Sequence, residues 1–259
     1  MEQLKNRIAL VTGAGRGIGR AIAESLAAEG AVVALAARSV SELDDAVAAI
    51  TAKGGKAQAF AVDLFDRATT WGLPKKARDA LGPIDIVVNN AGIGSSASPG
   101  PVVEMNLEYW DQTLELNLTV PMLLSKAVLP EMVRRRWGRI IMVASIAGKV
   151  GTFHGAAYSA SKHGVLGLTR SMAAEVCKEG VTVNAICPGP VKTVMNDPRI
   201  EYDAHRLGVD VTDYEKGVTP IGGRLVPEDI SPLAVYLASD AARMVTGQAF
   251  NVCGGCVMS

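Results

Sequence analysis

The chain has 259 residues, which is enough for one large α/β domain or two small ones and for a substantial core. Lysine plus arginine and aspartate plus glutamate both number 26, so the net charge does not favour nucleic acid or an anionic membrane as a partner. The N-terminal region has no basic segment followed by a long apolar run, so we expect no leader or membrane span and a cytoplasmic location. Four scattered cysteines do not make a secreted disulfide framework.

Strand-like and helix-like segments alternate along the chain. Apolar runs predict strands at 8–11, 31–37, 57–62, 84–88, 139–144, 181–186 and 249–252. Helical spacing occupies 16–29, 41–53, the segment up to about 81, 107–136, the segment up to about 178, and 227–238. Pro121 and Pro130 are expected to break the helical region over 107–136. The strands are continuous apolar runs, which indicates a parallel sheet covered by helices on both faces. No repeat or linker divides residues 1–259, so we predict a single, doubly wound α/β domain.

A glycine-rich turn, Thr12-Gly13-Ala14-Gly15-Arg16-Gly17-Ile18-Gly19, lies between the first predicted strand and the first predicted helix. Glycines let a backbone approach a pyrophosphate, whose charge is favoured at a helix N-terminus. The spacing is G-x-x-x-G-x-G rather than the usual G-x-G-x-x-G, and a tight turn without a ligand is the alternative. The position after the first strand favours a nucleotide. The predicted contacts in this turn are Gly13, Arg16, Gly17, Ile18 and Gly19.

The end of the second strand indicates which nucleotide binds. A site for NAD has a carboxylate there for the ribose hydroxyls, but this chain has Ala36-Ala37-Arg38-Ser39. Arg38, helped by Arg16, is suited to a 2′-phosphate, so NADP(H) is favoured and NAD(H) stays possible. Two solvated arginines are the alternative reading. Asp63, after the third strand, is either an acceptor for the adenine amino group or a helix N-cap.

Three side chains form the predicted catalytic site. Tyr158 and Lys162 are four residues apart, which puts them on the same face of a helix. A lysine ammonium beside a phenol is expected to lower the tyrosine pKa from about 10 toward the range of a general acid or base. Ser145 follows a buried strand, so its hydroxyl is expected at the sheet edge where ligands bind. Together these groups can polarise a carbonyl and protonate it.

These residues carry a resemblance to the short-chain dehydrogenase/reductase family over nearly the whole chain. The matching positions are Thr12-Gly13-x-x-x-Gly17-x-Gly19, Asp63, Asn89-Asn90-Ala91-Gly92, Asn117, Ser145, Tyr158-x-x-x-Lys162 and Pro188-Gly189. They occur in the order and at the spacing of the family. The resemblance implies a Rossmann-type sheet, a nicotinamide cofactor, reversible carbonyl reduction and a homotetramer.

The resemblance also implies roles for individual residues. Tyr158 is the general acid or base, Lys162 lowers its pKa and binds the nicotinamide ribose, and Ser145 orients the carbonyl. Asn117 is expected to hold a water that links Lys162 to solvent, with a buried amide at a helix kink as the alternative. Further cofactor contacts are implied for Asn90, Ala91, Gly92, Pro188, Gly189, Val191 and Thr193.

The substrate is predicted from weaker signals. Residues 194–225 show no strong regular pattern and contain Pro198, Gly208 and Pro220, so we expect an irregular lid over the site. Met195 and His154 are candidate substrate contacts, besides Ser145 and Tyr158; the alternatives are a loop anchor for Met195 and a polar residue at the helix entry for His154. The segments His154-x-x-x-Tyr158-Ser-Ala-Ser-Lys162-His163-Gly164 and Asn251-Val252-Cys253-Gly254-Gly255 resemble ketoreductases of aromatic polyketide synthesis and alicyclic alcohol dehydrogenases.

The sequence therefore predicts an oxidoreductase that acts on a ring-bearing or acyl-thioester ketone, a small molecule. An NAD-dependent dehydrogenase of alicyclic alcohols and a non-catalytic nucleotide-sensing module are the alternatives. A sensing module is expected to lack part of the Ser145, Tyr158 and Lys162 set, and this chain has all of it. Cys253-Gly254-Gly255-Cys256 has no further candidate ligands around it, so no metal site is predicted.

Overall fold

The computed structural model describes residues 2–258, so Met1 and Ser259, the ends of the predicted domain, lie outside the described residues. Seven strands form one sheet: β1 Ile8–Thr12, β2 Val32–Ala37, β3 Lys56–Ala61, β4 Ile86–Asn89, β5 Gly138–Val143, β6 Val181–Pro188 and β7 Ala249–Val252. The α-helices are α1 Gly17–Ala28, α2 Val40–Ala52, α3 Arg67–Leu81, α4 Leu107–Leu114, α5 Val120–Arg135, α6 Ala156–Val176, α7 Asp197–Leu207, α8 Val211–Lys216 and α9 Pro227–Ala238. Each predicted strand is present, with its ends shifted by at most two residues.

The strands lie in the order β3-β2-β1-β4-β5-β6-β7, and every neighbouring pair is parallel. The chain first builds the sheet outward from β1 to β3 and then returns to β1 to add β4 on its other side. In such a sheet the connections leave β1 and β4 toward opposite faces, so a crevice opens at their carboxyl ends. The predicted doubly wound α/β fold is confirmed.

Two apolar layers fix the helices on the sheet. On one face α3, α5 and α6 pack through residues such as Leu73, Leu124 and Leu166, and on the other α1, α2 and α9 pack through residues such as Ile22 and Leu237. Successive strand residues point to opposite faces, and both faces are covered, so the central strands must be apolar throughout. Full burial of one such side chain contributes about 1.5–3 kcal/mol, so the layers hold the strand ends in fixed positions.

Strand β3 departs from the predicted continuous apolar pattern. Its sequence, Lys-Ala-Gln-Ala-Phe-Ala, alternates in exposure, and only Phe60 is fully buried. The reason is its place at the edge of the sheet, where it has one neighbour and less cover.

The predicted break of helix 107–136 occurs at a different place. Pro121 is the second residue of α5, where a missing N–H costs little, and Pro130 lies inside α5 on its exposed side, where water can replace the lost backbone bond. The regular α-helix is interrupted instead by a π-helical turn, Glu115–Thr119, which contains Asn117. The expectation that the prolines break the helix is therefore wrong, because both stand at positions that tolerate them.

Helical residues Leu107–Arg135 are apolar enough, by length and composition alone, to cross a membrane. In the described structure, Leu124, Val128 and Met132 of this segment are buried in the layer between α5 and the sheet. The segment thus has the position of a core helix.

Residues 194–225 are more regular than predicted, since they contain α7 and α8. Pro198 lies in the first turn of α7, and Gly208 follows its last residue with a φ of +69°. Proline favours a helix start and glycine a left-handed helix end. The residues that suggested an irregular loop are therefore the start and stop signals of a short helix.

Candidate active site

A large cavity of about 1300 Å³ opens at the carboxyl ends of the strands. Most of the predicted site residues line it: Gly13, Arg16, Gly17, Ile18, Arg38, Asp63, Asn90, Ala91, Gly92, Ser145, Tyr158, Lys162, Pro188, Gly189, Val191, Thr193 and Met195. Gly19, Asn117 and His154 do not line it. The cavity runs from the end of β2 to α7, so it joins the predicted nucleotide-binding turn to the predicted catalytic side chains.

The glycine turn after β1 leaves room for a ligand at its backbone. Gly13 and Gly17 have φ angles of +63° and +56°, which L side chains rarely adopt. A Cβ at Gly13 would lie 2.8 Å from the Asn90 amide nitrogen. A Cβ at Gly19 would collide with the Gly13 carbonyl, so Gly19 serves to let α1 begin directly against the turn. The turn therefore forms an open backbone cradle at the N-terminus of α1, which fits a pyrophosphate.

Hydrogen bonds across the crevice fasten this turn to the end of β4. The Asn90 side-chain amide donates to the carbonyls of Thr12 and Gly13 at 2.9 and 3.2 Å. The Thr12 hydroxyl oxygen accepts from the backbone N–H groups of Asn90 and Ala91, both at 3.1 Å. Asn90 thus has a structural role besides lining the cavity, because its amide links β1 to the loop after β4 at the point where the strand order reverses.

The far end of the cavity is formed by the loop between β2 and α2. Arg38 and Arg16 are both exposed there, and the Arg16 guanidinium forms an ion pair with Glu42 at 3.0 Å. The Ser39 hydroxyl oxygen accepts from the Glu42 backbone N–H at 3.3 Å and so caps α2. Two cations and a serine hydroxyl fit a 2′-phosphate at this corner.

Asp63 lies at the cavity wall after β3, and its carboxylate accepts from the backbone N–H of Phe65 at 3.1 Å. The alternative reading of Asp63 as a helix N-cap is wrong, because Asp66 caps α3 and accepts from Ala68 and Thr69. One carboxylate oxygen of Asp63 remains without a bond to the protein's described atoms, which leaves an acceptor at the place expected for an adenine.

Ser145 and Tyr158 come together across the cavity from β5 and α6. Ser145 follows the last residues of β5, and its hydroxyl oxygen accepts from the Ala147 backbone N–H at 3.1 Å. Tyr158 stands in the first turn of α6 and is hydrogen-bonded to Ser145. Burial raises the pKa of the Tyr158 phenol, and the bond to Ser145 partly opposes this rise.

Lys162 lies one turn further along α6, with its ammonium nitrogen 5.6 Å from the centre of the Tyr158 ring. The ammonium donates to the Val143 carbonyl at 2.8 Å rather than to the phenol. Burial lowers the pKa of Lys162 to about 8. The expectation that Lys162 lowers the Tyr158 pKa is therefore wrong for this arrangement, because desolvation dominates both groups and the strand carbonyl holds the ammonium.

Asn117 is buried in the π-helical turn and acts on the loop that follows β4. Its side-chain amide donates to the Ile93 carbonyl and to the Ser161 hydroxyl, both at 3.0 Å, and accepts from the Ile93 N–H at 2.7 Å. Both of its N–H donors are used inside the protein. The side chain therefore positions the cavity wall and α6, as in the alternative reading of a buried amide at a helix irregularity.

His154 points away from the predicted substrate. Its backbone has a φ of +53°, and its ring Nδ1 lies 2.6 Å from the Tyr202 hydroxyl on α7. The prediction that His154 faces the substrate is wrong, because this backbone conformation turns the ring toward α7. Met195 does line the cavity, and it packs against Gly94, where a Cβ would lie 2.7 Å from the Met195 Cγ.

The sequence analysis missed a buried ion pair in the cavity wall. Arg199 is 8% exposed and forms a two-point bond with Asp203, at 2.7 and 3.1 Å, one turn apart on α7. The same guanidinium donates to the Phe153 carbonyl at 2.7 Å, which ties α7 to the loop before α6. An arginine and an aspartate four residues apart were a readable helix signal, but the proline and glycine nearby favoured a loop. Glu42 was missed as well, although it follows Arg38 by four residues.

The site residues fit a dinucleotide and give no sign of a metal centre. The open glycine cradle, the acceptor at Asp63 and the cations at Arg16 and Arg38 match a pyrophosphate, an adenine and a 2′-phosphate in turn. Among residues 2–258, no group of three or more His, Cys, Asp or Glu side chains has the arrangement of a metal site. Fold and site define a dinucleotide-binding, doubly wound α/β protein with a serine–tyrosine–lysine set.

Comparison with known proteins identifies the family. A sequence profile described as short chain dehydrogenase matches residues 7–204. A Streptomyces virginiae protein assigned as the ketoacyl reductase of a monensin polyketide synthase is 41% identical over 263 residues and covers 98% of both chains. The 3-oxoacyl-[acyl-carrier-protein] reductase of Escherichia coli is 38% identical over 254 residues, with 98% of both chains covered. The crystal structure of an actinorhodin polyketide ketoreductase with NADPH aligns with a TM-score of 0.91 at 36% identity, over 97% of both chains.

The chain belongs to the short-chain dehydrogenase/reductase family, since the profile covers most of it and the relatives match nearly all of it. The predicted resemblance, including that to polyketide ketoreductases, is confirmed. The protein is thus an oxidoreductase of the nicotinamide-dependent kind.

The low pKa of Lys162 makes stability depend on pH. The unfolded chain holds this proton up to about pH 10.5 and the folded chain only up to about 8, so folding releases the proton in between. The free energy of unfolding, relative to a Lys162→Met variant, should therefore rise by about 2 kcal/mol from pH 8 to pH 10. Urea unfolding of the parent protein and of Lys162→Met at pH 8 and pH 10 measures this change. A difference in unfolding free energy between the two proteins that stays constant with pH would contradict the burial of Lys162.

Proposed function

We propose that this protein interconverts a ketone and a secondary alcohol with NADP(H) as the hydride carrier. One observation carries the proposal: a single cavity brings Ser145, Tyr158 and Lys162 to one end and the glycine turn and Arg38 to the other. Residues at the glycine turn and Arg38 would hold the nucleotide part of a dinucleotide, and Ser145, Tyr158 and Lys162 would serve its nicotinamide end. Family membership supports the same reaction class.

The residues divide the chemistry between them. The bound nicotinamide supplies the hydride in reduction and accepts it in oxidation. Tyr158 delivers a proton to the carbonyl oxygen, or removes it from the alcohol in the reverse direction. Its raised pKa keeps the phenol protonated at neutral pH, which suits reduction. Ser145 donates its hydroxyl hydrogen to the same oxygen when substrate is bound and stabilises the developing negative charge.

Lys162 and Asn117 support this step. The Lys162 ammonium lies 5.6 Å from the centre of the Tyr158 ring and bonds to the Val143 carbonyl. It would hold the ribose hydroxyls of a bound cofactor, and its charge would favour the phenolate as the proton leaves. Asn117 acts as a positioning residue, because its amide holds Ile93 and Ser161. The remaining cofactor contacts are proposed at Gly17, Ile18, Ala91, Gly92, Pro188, Gly189, Val191 and Thr193, which line the same cavity.

The proposed substrate is a ring-bearing or acyl-thioester ketone. The cavity beyond Tyr158 is bordered by apolar side chains, among them Leu116, Met195 and Ile200, which suit an apolar body attached to the reacting carbonyl. Helices α7 and α8 form its outer wall, and we propose residues 194–225 as the lid. The relatives that reduce ketoacyl groups support this substrate class.

Two other functions are open to the same test. An NAD-dependent dehydrogenase of alicyclic alcohols would use the same three catalytic residues, but Arg38 would not make it prefer NADP(H) over NAD(H). A nucleotide-sensing module would bind the cofactor without turnover, and the complete Ser145, Tyr158 and Lys162 set speaks against it.

Replacement of the proposed acid tests the reaction. Tyr158→Phe should lower turnover of ketones with NADPH by about 10²–10⁴-fold, because it removes the transferable proton and leaves the ring in place. The assay follows NADPH oxidation against a panel of cyclic diketones, aryl ketones and β-keto thioesters. Tyr236→Phe, on α9 and outside the cavity, is the matched control. Full activity in Tyr158→Phe, or no turnover by the parent protein despite cofactor binding, would refute the proposed reaction.

Replacement of Arg38 tests the cofactor. Arg38→Ala should weaken NADPH binding by about 10- to 150-fold and leave NADH binding nearly unchanged, since a charge-assisted bond to a phosphate is worth about 1.5–3 kcal/mol. Equilibrium titration by nucleotide fluorescence gives both affinities. Arg134→Ala, an exposed arginine on α5 outside the cavity, is the control. The assignment of NADP(H) fails if the parent protein binds NADH as tightly as NADPH and Arg38→Ala leaves the NADPH affinity unaltered.

We also propose a homotetramer in the cytoplasm. Helices α5 and α6 leave apolar side chains partly exposed, including Met122, Leu123, Leu129 and Leu168, after packing on the sheet. Such faces are suited to pairing between identical subunits. Light scattering on the purified protein should give four times the mass of one chain, and a single-chain mass at working concentration would contradict the proposal.

A further inference from the structure

Glu42 lies inside the far corner of the cavity, beside the groups proposed to hold the 2′-phosphate. It is in the first turn of α2, and its carboxylate is about one-third exposed. One oxygen pairs with the Arg16 guanidinium at 3.0 Å. The proposed phosphate corner thus contains a carboxylate in addition to its two arginines, and one of those arginines is already engaged.

Gly15 allows this arrangement. A Cβ at Gly15 would lie 2.9 Å from the Glu42 Cβ and 3.1 Å from the second carboxylate oxygen, Oε2. Because Gly15 has no side chain, Glu42 occupies this space and its carboxylate lies against the glycine turn. The turn on one side and the bond to Arg16 on the other fix the position of the carboxylate.

The charge of Glu42 acts differently on the two nicotinamide cofactors. A 2′-phosphate carries a charge of about −1.5 to −2, whereas the corresponding hydroxyl is neutral and can donate to a carboxylate. Arg16 uses one guanidinium N–H on Glu42, so a phosphate bound by Arg16 would share that cation with the carboxylate and would face it as a second anion. Neither cost arises with the hydroxyl.

We propose that Glu42 is a cofactor-specificity residue that lowers the preference for NADP(H) over NAD(H) by holding Arg16. The inference rests on the proposed nicotinamide-dependent function and concerns the strength of its cofactor preference. Arg38 selects the phosphate, and Glu42 limits the contribution of Arg16 to that selection. The protein accordingly accepts both cofactors to a greater degree than two free arginines would allow.

The test measures binding rather than turnover. Glu42→Gln keeps the size of the side chain and removes its charge. Calorimetric titration should show that this variant binds NADPH and 2′,5′-ADP about three- to tenfold more tightly than the parent, with NADH and 5′-AMP bound equally or more weakly. Glu24→Gln is the matched control, because Glu24 also forms exposed ion pairs, with Arg20 and Lys53, but does not line the cavity.

A double variant tests the route through Arg16. In an Arg16→Ala background, Glu42→Gln should strengthen 2′,5′-ADP binding by less than half of the increase that it gives in the parent protein. A full gain in that background, or no gain in the single variant, overturns the inference. So does a parent protein that binds neither 2′,5′-ADP nor 5′-AMP. Loss of the proposed function is a separate outcome, recognised by cofactor binding without ketone turnover.

Discussion

The reversal of strand order between β1 and β4 is the constraint on which the rest of the structure depends. It opens a crevice at one edge of the sheet, and the Asn90 amide closes the gap behind the crevice by bonding to the carbonyls of Thr12 and Gly13. The glycine turn, the loop after β4 and the start of α1 are thereby held in one arrangement. The proposed cofactor contacts in the glycine turn and in the loop after β4 take their positions from these bonds.

Desolvation controls the proton chemistry of the catalytic end. The apolar layers that hold the sheet together also surround Tyr158 and Lys162, so burial raises the pKa of the phenol and lowers the pKa of the amine. The strand carbonyl of Val143 and the hydroxyl of Ser145 supply the polar partners that these groups need in such surroundings. Burial therefore moves the two pKa values apart, so that the phenol holds its proton more tightly than the amine does.

Buried polar contacts hold the cavity wall that is formed by α7 and the loop before α6. Arg199 joins Asp203 on its own helix to the Phe153 carbonyl in the loop before α6. His154, held by Tyr202 in a left-handed backbone conformation, adds a second tie between the same elements. These contacts tie α7, part of the proposed lid, to the loop that precedes α6 and Tyr158.

Sequence pattern alone determined the seven strands, the parallel sheet, the glycine turn and the Ser145, Tyr158 and Lys162 set, because continuous apolar runs and fixed spacings are local properties of the chain. It misjudged Pro121, Pro130 and the helix ended by Gly208, because whether a proline or glycine breaks a helix or bounds it depends on solvent and neighbours at that residue. The direction of the Tyr158 pKa shift, the outward turn of His154, the bonds of Asn117 and the pairing of Glu42 with Arg16 were decided only by the tertiary structure. Each of these depends on distances between residues far apart in sequence and on how much water the packed layers exclude. The spacing of residues along the chain gives neither quantity.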